Sequence, residues 1–269
     1  MPRTLRITTR NATFQQWQAL LTNRAKRQRA GEFLVQGVRP ISLAVERGHQ
    51  IRALLSAEEP GLSRWARDVI EKTAAPRALL SAELMRELGG KDDETPELLA
   101  AVGLPADDLA RIPVGPDLLV VAFDRPTTPG NIGTLVRSAD AFGAAGVIVT
   151  GHAADPYDPR AVRASTGSLF ALPVVRVPSH REVLDWVRTL GVGAQVVGTD
   201  EGGSVDIAEH DLTGPTVLAV GNETHGLSAA WREGCHRMVR IPMVGAASSL
   251  NAASAGTVAL YEAARQRRG

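Results

Sequence analysis

Side chains able to do chemistry gather in three short stretches of this 269-residue chain. In PGNIGTLVRSADAFGA (129–144), Asn131 and Arg137 stand six apart, less than two helical turns. Gly130 and Gly133 beside them allow a tight turn and close approach to a ligand. LAVGNETHGLS (218–228) sets Asn222 and Glu223 between Gly221 and Gly226, and IPMVGAASSLNAASAG (241–256) carries Ser249 and Asn251 where a loop of small residues enters a helix. Each stretch follows an apolar run that reads as a strand, and ligands of parallel α/β sheets bind at such strand ends. A guanidinium is effectively never deprotonated. Arg137 therefore suits electrostatic work, holding an anion or stabilising developing negative charge. Each residue also has a purely local reading. Arg137 could pair with Asp140 at i+3, Asn131 or Ser249 could be a helix N-cap, and Glu223 could sit near a helix N-terminus because the macrodipole favours it there.

Several other chemistries are excluded. The one Gly-Lys pair, Gly90 and Lys91, is followed by Asp92, so there is no P-loop. GVGAQV (191–196) lacks the last glycine of a dinucleotide fingerprint and runs into a strand instead of a helix. The six histidines are scattered, Cys235 and His236 are adjacent instead of ligand-spaced, and no GxSxG surrounds a serine. No metal site is expected.

The elements that must position the three stretches follow from the pattern of apolar runs. FQQWQALLTNRAKRQRAGE reads as one amphipathic helix ending near Gly31. FLVQ, IRALL and RALL read as strands alternating with the helices ISLAVERG, SRWARDVIEK and SAELMREL. Three prolines and two glycines from Gly103 to Pro116 mark a linker. Beyond it DLLVVAF, GVIVT, LPVVRV, AQVVGT, TVLAVG and RMVRIP are near-continuous apolar strands. A helix from about Asn131 to Phe142, SHREVLDWVRTL, SAAWREG and a last helix from about Ser249 accompany them, which predicts a mostly parallel sheet covered on both faces. Domains are expected at 1–112 and 113–269, a division the length also suggests. Hydrophobic residues at 44% and charged ones at 22% exclude a disordered or collagen-like chain. No run approaches the roughly 18 residues of a membrane span, no signal-like apolar stretch opens the sequence, and a lone Cys235 cannot form an internal disulfide. A soluble cytoplasmic protein is expected.

The net charge of +1 averages over unlike segments. Residues 1–29 hold seven Lys or Arg and no acid; residues 1–52 hold ten against two, a net of +8, while 53–115 hold seven against twelve. Arg24, Lys26, Arg27, Arg29 and Arg39 are therefore candidate contacts to RNA phosphates, with the solvated face of an amphipathic helix as the bland alternative.

GNIGTLVR, VGNETHGLS and IPMVGAASSLN, in that order and spacing, resemble the three signature motifs of the SpoU (TrmH) family of RNA ribose 2'-O-methyltransferases. The resemblance covers 117–269, with RASTGSLFALPV (163–174) as the family's intermediate segment. Residues 11–48 and GHAADPYDP (151–159) are similar to a branch acting on 23S ribosomal RNA, with resistance to an orthosomycin antibiotic as the implied role. A housekeeping rRNA or tRNA methyltransferase and a non-catalytic RNA-binding assembly factor are the alternatives. The resemblance implies S-adenosylmethionine as cofactor and a homodimer. It also implies a deep trefoil knot in the second half, where composition alone suggests an unknotted doubly wound sheet, and an N-terminal α/β RNA-binding module resembling ribosomal protein L30e. By matching position, Arg137 activates the ribose hydroxyl, Asn131 positions Arg137 or the substrate, and Glu223 organises the site across the dimer or contacts the substrate. Ser249 and Asn251 complete the third motif. Thr199, Gly221, Asn222, Ile241, Met243 and Leu250 surround the cofactor, chiefly through backbone groups.

Overall fold

Apolar runs build a mixed sheet early in the chain and a parallel one later. The computed structural model describes residues 4–57, 61–89 and 95–268, so the Gly90–Lys91 pair lies outside the described residues. The first elements are β1 (Thr4–Ile7), α1 (Ala12–Thr22), α2 (Arg24–Ala30), β2 (Glu32–Gln36), α3 (Val38–Glu46), β3 (Ile51–Ala57), α4 (Arg64–Lys72), β4 (Arg77–Leu80), α5 (Ala82–Gly89) and β5 (Leu98–Gly103). Next come β6 (Leu119–Asp124), α6 (Pro129–Ala141), β7 (Gly146–Thr150), α7 (Pro159–Ser165), β8 (Val174–Val177) and α8 (His180–Thr189). The chain closes with β9 (Gln195–Thr199), β10 (Val205–Asp206), β11 (Thr216–Val220), α9 (Ala229–Gly234), β12 (Arg237–Arg240) and α10 (Ala252–Arg268). Contacts divide them into two compact units, Met1–Pro105 with Tyr157–Ala171 and Ala106–Pro156 with Leu172–Gly269. No helix among the described residues is long and apolar enough to cross a membrane.

The first unit is a five-stranded sheet ordered β1-β4-β3-β5-β2, in which β5 runs antiparallel to both neighbours. The apolar face of α1, Phe14, Trp17 and Leu20, packs with Leu84, Met85 and Leu88 of α5 on Leu34, Leu55 and Leu99. Strand alternation turns Phe33 away from Leu34, and its ring meets Tyr157 at 4.9 Å and Phe170 at 6.1 Å, so 157–171 covers it. The single helix expected up to Gly31 is instead two. Asn23 caps both, donating its backbone N–H to the Ala19 carbonyl and accepting from the Lys26 amide on its side chain, and the break re-aims the basic turn.

The second unit is a seven-stranded sheet ordered β10-β12-β9-β11-β6-β7-β8, every described pair parallel. Its strands β6, β7 and β11 are buried along their whole length, as their unbroken apolar sequences require. The expected linker is not loose: Asp107 binds the Arg176 guanidinium at 2.6 Å and Ile112 is buried in the second core. The sequence boundary stood at 112/113, whereas contacts place 106–112 with the second unit. Helix α10 lies on α6 and β11, and a Cβ on Gly256 would come within 2.6 Å of Leu135 Cδ1, so glycine sets how closely the helices approach.

Candidate active site

β6 ends at Asp124, a carboxylate 3% exposed at the head of the turn into α6. It accepts from Arg125 Nε at 3.1 Å and Nη2 at 3.0 Å, from Thr150 Oγ1 at 3.3 Å and from the Ser228 amide at 3.0 Å. Arg125 is in the left-handed region at φ 49°, where a side chain is strained. Its backbone is held there by its own N–H to the Thr150 carbonyl at 3.0 Å and by Asn222 Nδ2, which donates to the Arg125 carbonyl at 2.6 Å. The sequence assigned a tight turn to Gly130 and Gly133. Both are instead helical, within α6, Gly130 with open space where a Cβ would stand, and Arg125 makes the turn.

Glu223 ties the second stretch to the first. Its carboxylate accepts from the Thr127 amide at 2.9 Å, Thr127 Oγ1 at 3.0 Å, the Thr128 amide at 3.1 Å and Asn131 Nδ2 at 2.9 Å. These are donors at the start of α6, whose free N–H groups and positive dipole end favour an anion. Burial would raise the Glu223 carboxyl, but the Thr127 amide, the Asn131 carboxamide and the Thr128 amide together hold it below the ordinary carboxylate value. Asn131 is not the N-cap of α6, since Thr128 holds that position; it lies one turn inside, and its Oδ1 accepts from Asn251 Nδ2 at 3.2 Å. Asn251 Oδ1 in turn accepts from the Ala253 amide at 3.0 Å and the Ser254 amide at 3.2 Å. Asn251, and not Ser249, therefore caps α10. The hydrogen-bond path Glu223–Asn131–Asn251 joins all three stretches within one chain.

Beside this path lies a pocket of about 430 Å³ at the ends of β9 and β11. Thr199, Gly221, Asn222, Ile241, Met243 and Leu250 all line it, together with Glu223 and Ser249. Gly221 is required by its turn, because a Cβ there would stand 2.3 Å from the Gly226 carbonyl carbon, across the Asn222–Gly226 bridge. Asn222 is spent on loop closure: its Oδ1 accepts from the Thr224 and His225 amides at 2.8 and 3.2 Å, and its backbone N–H and carbonyl pair with Gly226 at 3.0 and 3.1 Å. Asp200 and Arg232 form an ion pair at 2.5 Å on the pocket wall. The sequence reading missed them, as it missed Asp124, Arg125, Thr127 and Thr128. Their only signal is position, at strand ends beside the three stretches.

Arg137 behaves differently. It is exposed on α6, two turns beyond the helix start, and among the described residues no hydrogen bond or ion pair engages it; the local pairing with Asp140 is absent. Cys235 is no rival nucleophile, since burial pushes its thiol up to about 12. In the first unit Arg24, Lys26, Arg29 and Arg39 are exposed. Arg27 is not. It is 2% exposed, donates to the Leu20 carbonyl at 2.6 Å and lies 3.9 Å from Asp158, so it leaves the set of phosphate contacts and holds α1, α2 and α7 together instead.

The chain matches two family descriptions, the SpoU L30e-like domain over residues 11–100 and the SpoU rRNA Methylase family over residues 118–261. It is 60% identical over 269 residues, 99% of its length and 94% of the relative's, to a protein of Streptomyces viridochromogenes named 23S rRNA (uridine(2479)-2'-O)-methyltransferase. Its structure is similar to the crystal structure of the SpoU methyltransferase AviRb from the same organism in complex with AdoMet, with a TM-score of 0.93 and 59% identity, covering 97% of this chain and 99% of that one. An AdoMet-bound rRNA methyltransferase from Sinorhizobium meliloti is 31% identical, with a TM-score of 0.88 over 97% and 98% of the two chains. With both halves matched and its three motif stretches joined at the strand ends, this chain belongs to the SpoU rRNA methylase family.

Proposed function

We propose that this chain transfers a methyl group from S-adenosylmethionine to a ribose 2'-hydroxyl of 23S ribosomal RNA. The observation that carries the reading is the Glu223–Asn131–Asn251 path beside a pocket, with Arg137 exposed on the helix of Asn131 and unengaged among the described residues. The pocket fits the cofactor. Its volume of about 430 Å³ lies within the range of roughly 300 to 1,000 Å³ of small-molecule sites. Ile241, Met243 and Leu250 offer apolar surface, the Gly221 backbone lies in the wall, and Thr199, Asp200 and Glu201 offer side-chain hydrogen-bonding atoms. When bound, S-adenosylmethionine supplies the electrophilic methyl group.

The protein supplies orientation and electrostatics. Asp124, Asn222 and Glu223 fix the turn 125–128, which sets the start and direction of α6 and with it the position of Arg137. Arg137 binds an RNA phosphate and stabilises the 2'-oxygen as it becomes an alkoxide, while that phosphate or water takes the proton. Asn131 and Asn251 hold the third stretch, with Ser249 on the pocket wall, against the first. Exposed Arg24, Lys26, Arg29 and Arg39 hold the RNA backbone on the first unit.

The working state is a homodimer with a trefoil-knotted second unit, in the cytoplasm, and its role is orthosomycin resistance; family resemblance supports these points. For the dimer there is also a surface. Val258 and Tyr261 of α10 are 38% and 52% exposed, Phe142 meets Tyr261 edge-on at 5.8 Å, and Val244 is fully exposed in the loop before α10. A second copy covering this face would bury it.

The test is to incubate the chain with 23S rRNA and S-adenosylmethionine, digest the RNA to nucleosides and identify them by mass spectrometry. One ribose-methylated nucleoside above background is the expected result. RNA binding without any methylated nucleoside would point to the assembly-factor role.

A further inference from the structure

Residues 157–171 take no part in the reaction above, yet their packing makes a second concave site. Helix α7 lies against β2 in the first unit, and a pocket of about 430 Å³ opens beside them. Its floor is aliphatic, Leu34 and Val35 of β2, Leu99 of β5, Leu88 of α5 and Val162 of α7, each no more than 6% exposed, and half-buried Leu21 and Pro159 offer the accessible apolar surface. Its rim is cationic. Arg160 and Arg163 stand at i and i+3 on α7, Arg160 with a side chain 72% exposed, and Arg163 exposed with no ion pair among the described residues. Asp158, the acid on the rim, pairs with Arg160 itself, accepting from its amide and Nε, both at 3.0 Å, and lies 3.9 Å from buried Arg27, which leaves Arg163 as the uncompensated rim charge. Thr22 and Gln36 add uncharged hydrogen-bonding groups.

We propose that this pocket takes one unstacked nucleotide of the RNA substrate, its base against Leu21 and Pro159 over the aliphatic floor and its phosphate on Arg163, beside the Arg160–Asp158 pair. The inference rests on the RNA-methyltransferase reading and adds a recognition site to it. An apolar slot with guanidinium groups at its edge suits a flat base, which every nucleotide offers once splayed out of a stack. The phosphate has no place in the slot and every reason to stay at the cationic rim. Thr22 on the rim leads directly into α2, where exposed Lys26 and Arg29 continue the positive surface along which a backbone would run. The net of +8 over residues 1–52 favours a polyanion over a peptide or a neutral metabolite.

Two variants of exposed rim residues test it in the full chain. Thr22→Trp places a large side chain at the mouth of the slot, and Arg163→Glu reverses the rim charge. Affinity for 23S rRNA is read by filter binding, methyl transfer by kcat and KM, and S-adenosylmethionine affinity by calorimetry. Each variant should weaken RNA binding roughly 10-fold and raise KM for RNA, with kcat at saturation, cofactor affinity and Tm as in the wild type. Should one variant unfold, the other decides. RNA affinity and KM within twofold of wild type in the folded variants would overturn the pocket while leaving the reaction standing. A wild-type chain that binds RNA with this sensitivity but never methylates it would sink the reaction and keep the pocket. Failure of the wild type to bind RNA would end both.

Discussion

The two pockets are of similar volume and opposite construction. The one at the ends of β9 and β11 is walled by loops whose shape is held by side chains bonded to backbone: Glu223 to Thr127 and Thr128, Asn222 to Arg125, Asn251 to the first turn of α10. The one in the first unit is walled by the side chains of regular strands and helices, with the Arg160–Asp158 pair and exposed Arg163 at its edge. In the first kind of site most motif residues hold the main chain in place, while Arg137, on the same helix as Asn131, is exposed with no hydrogen bond or ion pair among the described residues. In the second kind the lining side chains meet the ligand themselves. Substitutions should divide accordingly.

The largest effect should come from Arg137→Ala. Methyl transfer falls about 100- to 1,000-fold in kcat, the usual loss for one electrostatic stabiliser, while Tm and S-adenosylmethionine affinity stay at wild-type values in calorimetry. Glu223→Gln should instead damage the scaffold. It removes the charge on which four donors converge and lowers stability by about 1–3 kcal/mol, together with cofactor affinity, both measurable by denaturant titration and calorimetry. The pH dependence sharpens the point. Because its folded carboxyl is held below its ordinary value of 4.5, Glu223 adds stability that is fully present above that pH and fades as pH falls through the lower folded value. Wild type should lose more Tm than Glu223→Gln on acidification below about pH 4.5.

Smaller effects follow further from the pocket. Asn251→Ala should cost about 1 kcal/mol as a lost N-cap, with a modest loss of activity through the broken link to Asn131, read from thermal melts and initial rates. Lys26→Ala should change least: RNA affinity drops slightly, and the slope of log K against log salt falls by about 1. Arg27→Ala makes the contrast within one helix. It should lower Tm, because its guanidinium is buried on the Leu20 carbonyl and near Asp158, and should leave the salt slope unchanged.

These contrasts also explain what could be read ahead of the structure. Continuous apolar runs such as TVLAV and GVIVT announce buried parallel strands because burial on both faces leaves no room for alternation. Three glycine-bearing stretches after such strands announce where a ligand would sit. What stayed hidden depended on partners distant in sequence. Arg27 has the same residue type as its exposed neighbours, and its burial shows only in the fold, where it meets the Leu20 carbonyl and lies near Asp158, 131 residues away. Glu223 looks like a free carboxylate until Thr127 and Thr128 are found against it. The helix periodicity of 14–31 runs straight through Asn23, so the break between α1 and α2 lies in one capping side chain and not in the apolar pattern. β5 escaped because its run, LLAAVG, leads into residues whose prolines read as a linker. Arg125 was missed because an arginine in the left-handed region is a feature of tertiary restraint, here Asp124 and Asn222, that no local preference foretells.

Primer extension at limiting nucleotide concentration tests the central claim most directly, since ribose 2'-O-methylation halts the polymerase. On 23S rRNA treated with wild-type chain and S-adenosylmethionine, one new stop should appear, and under the same conditions Arg137→Ala should leave the RNA without it. An unchanged stop pattern with the wild-type chain, or an equally strong stop with Arg137→Ala, would contradict the account.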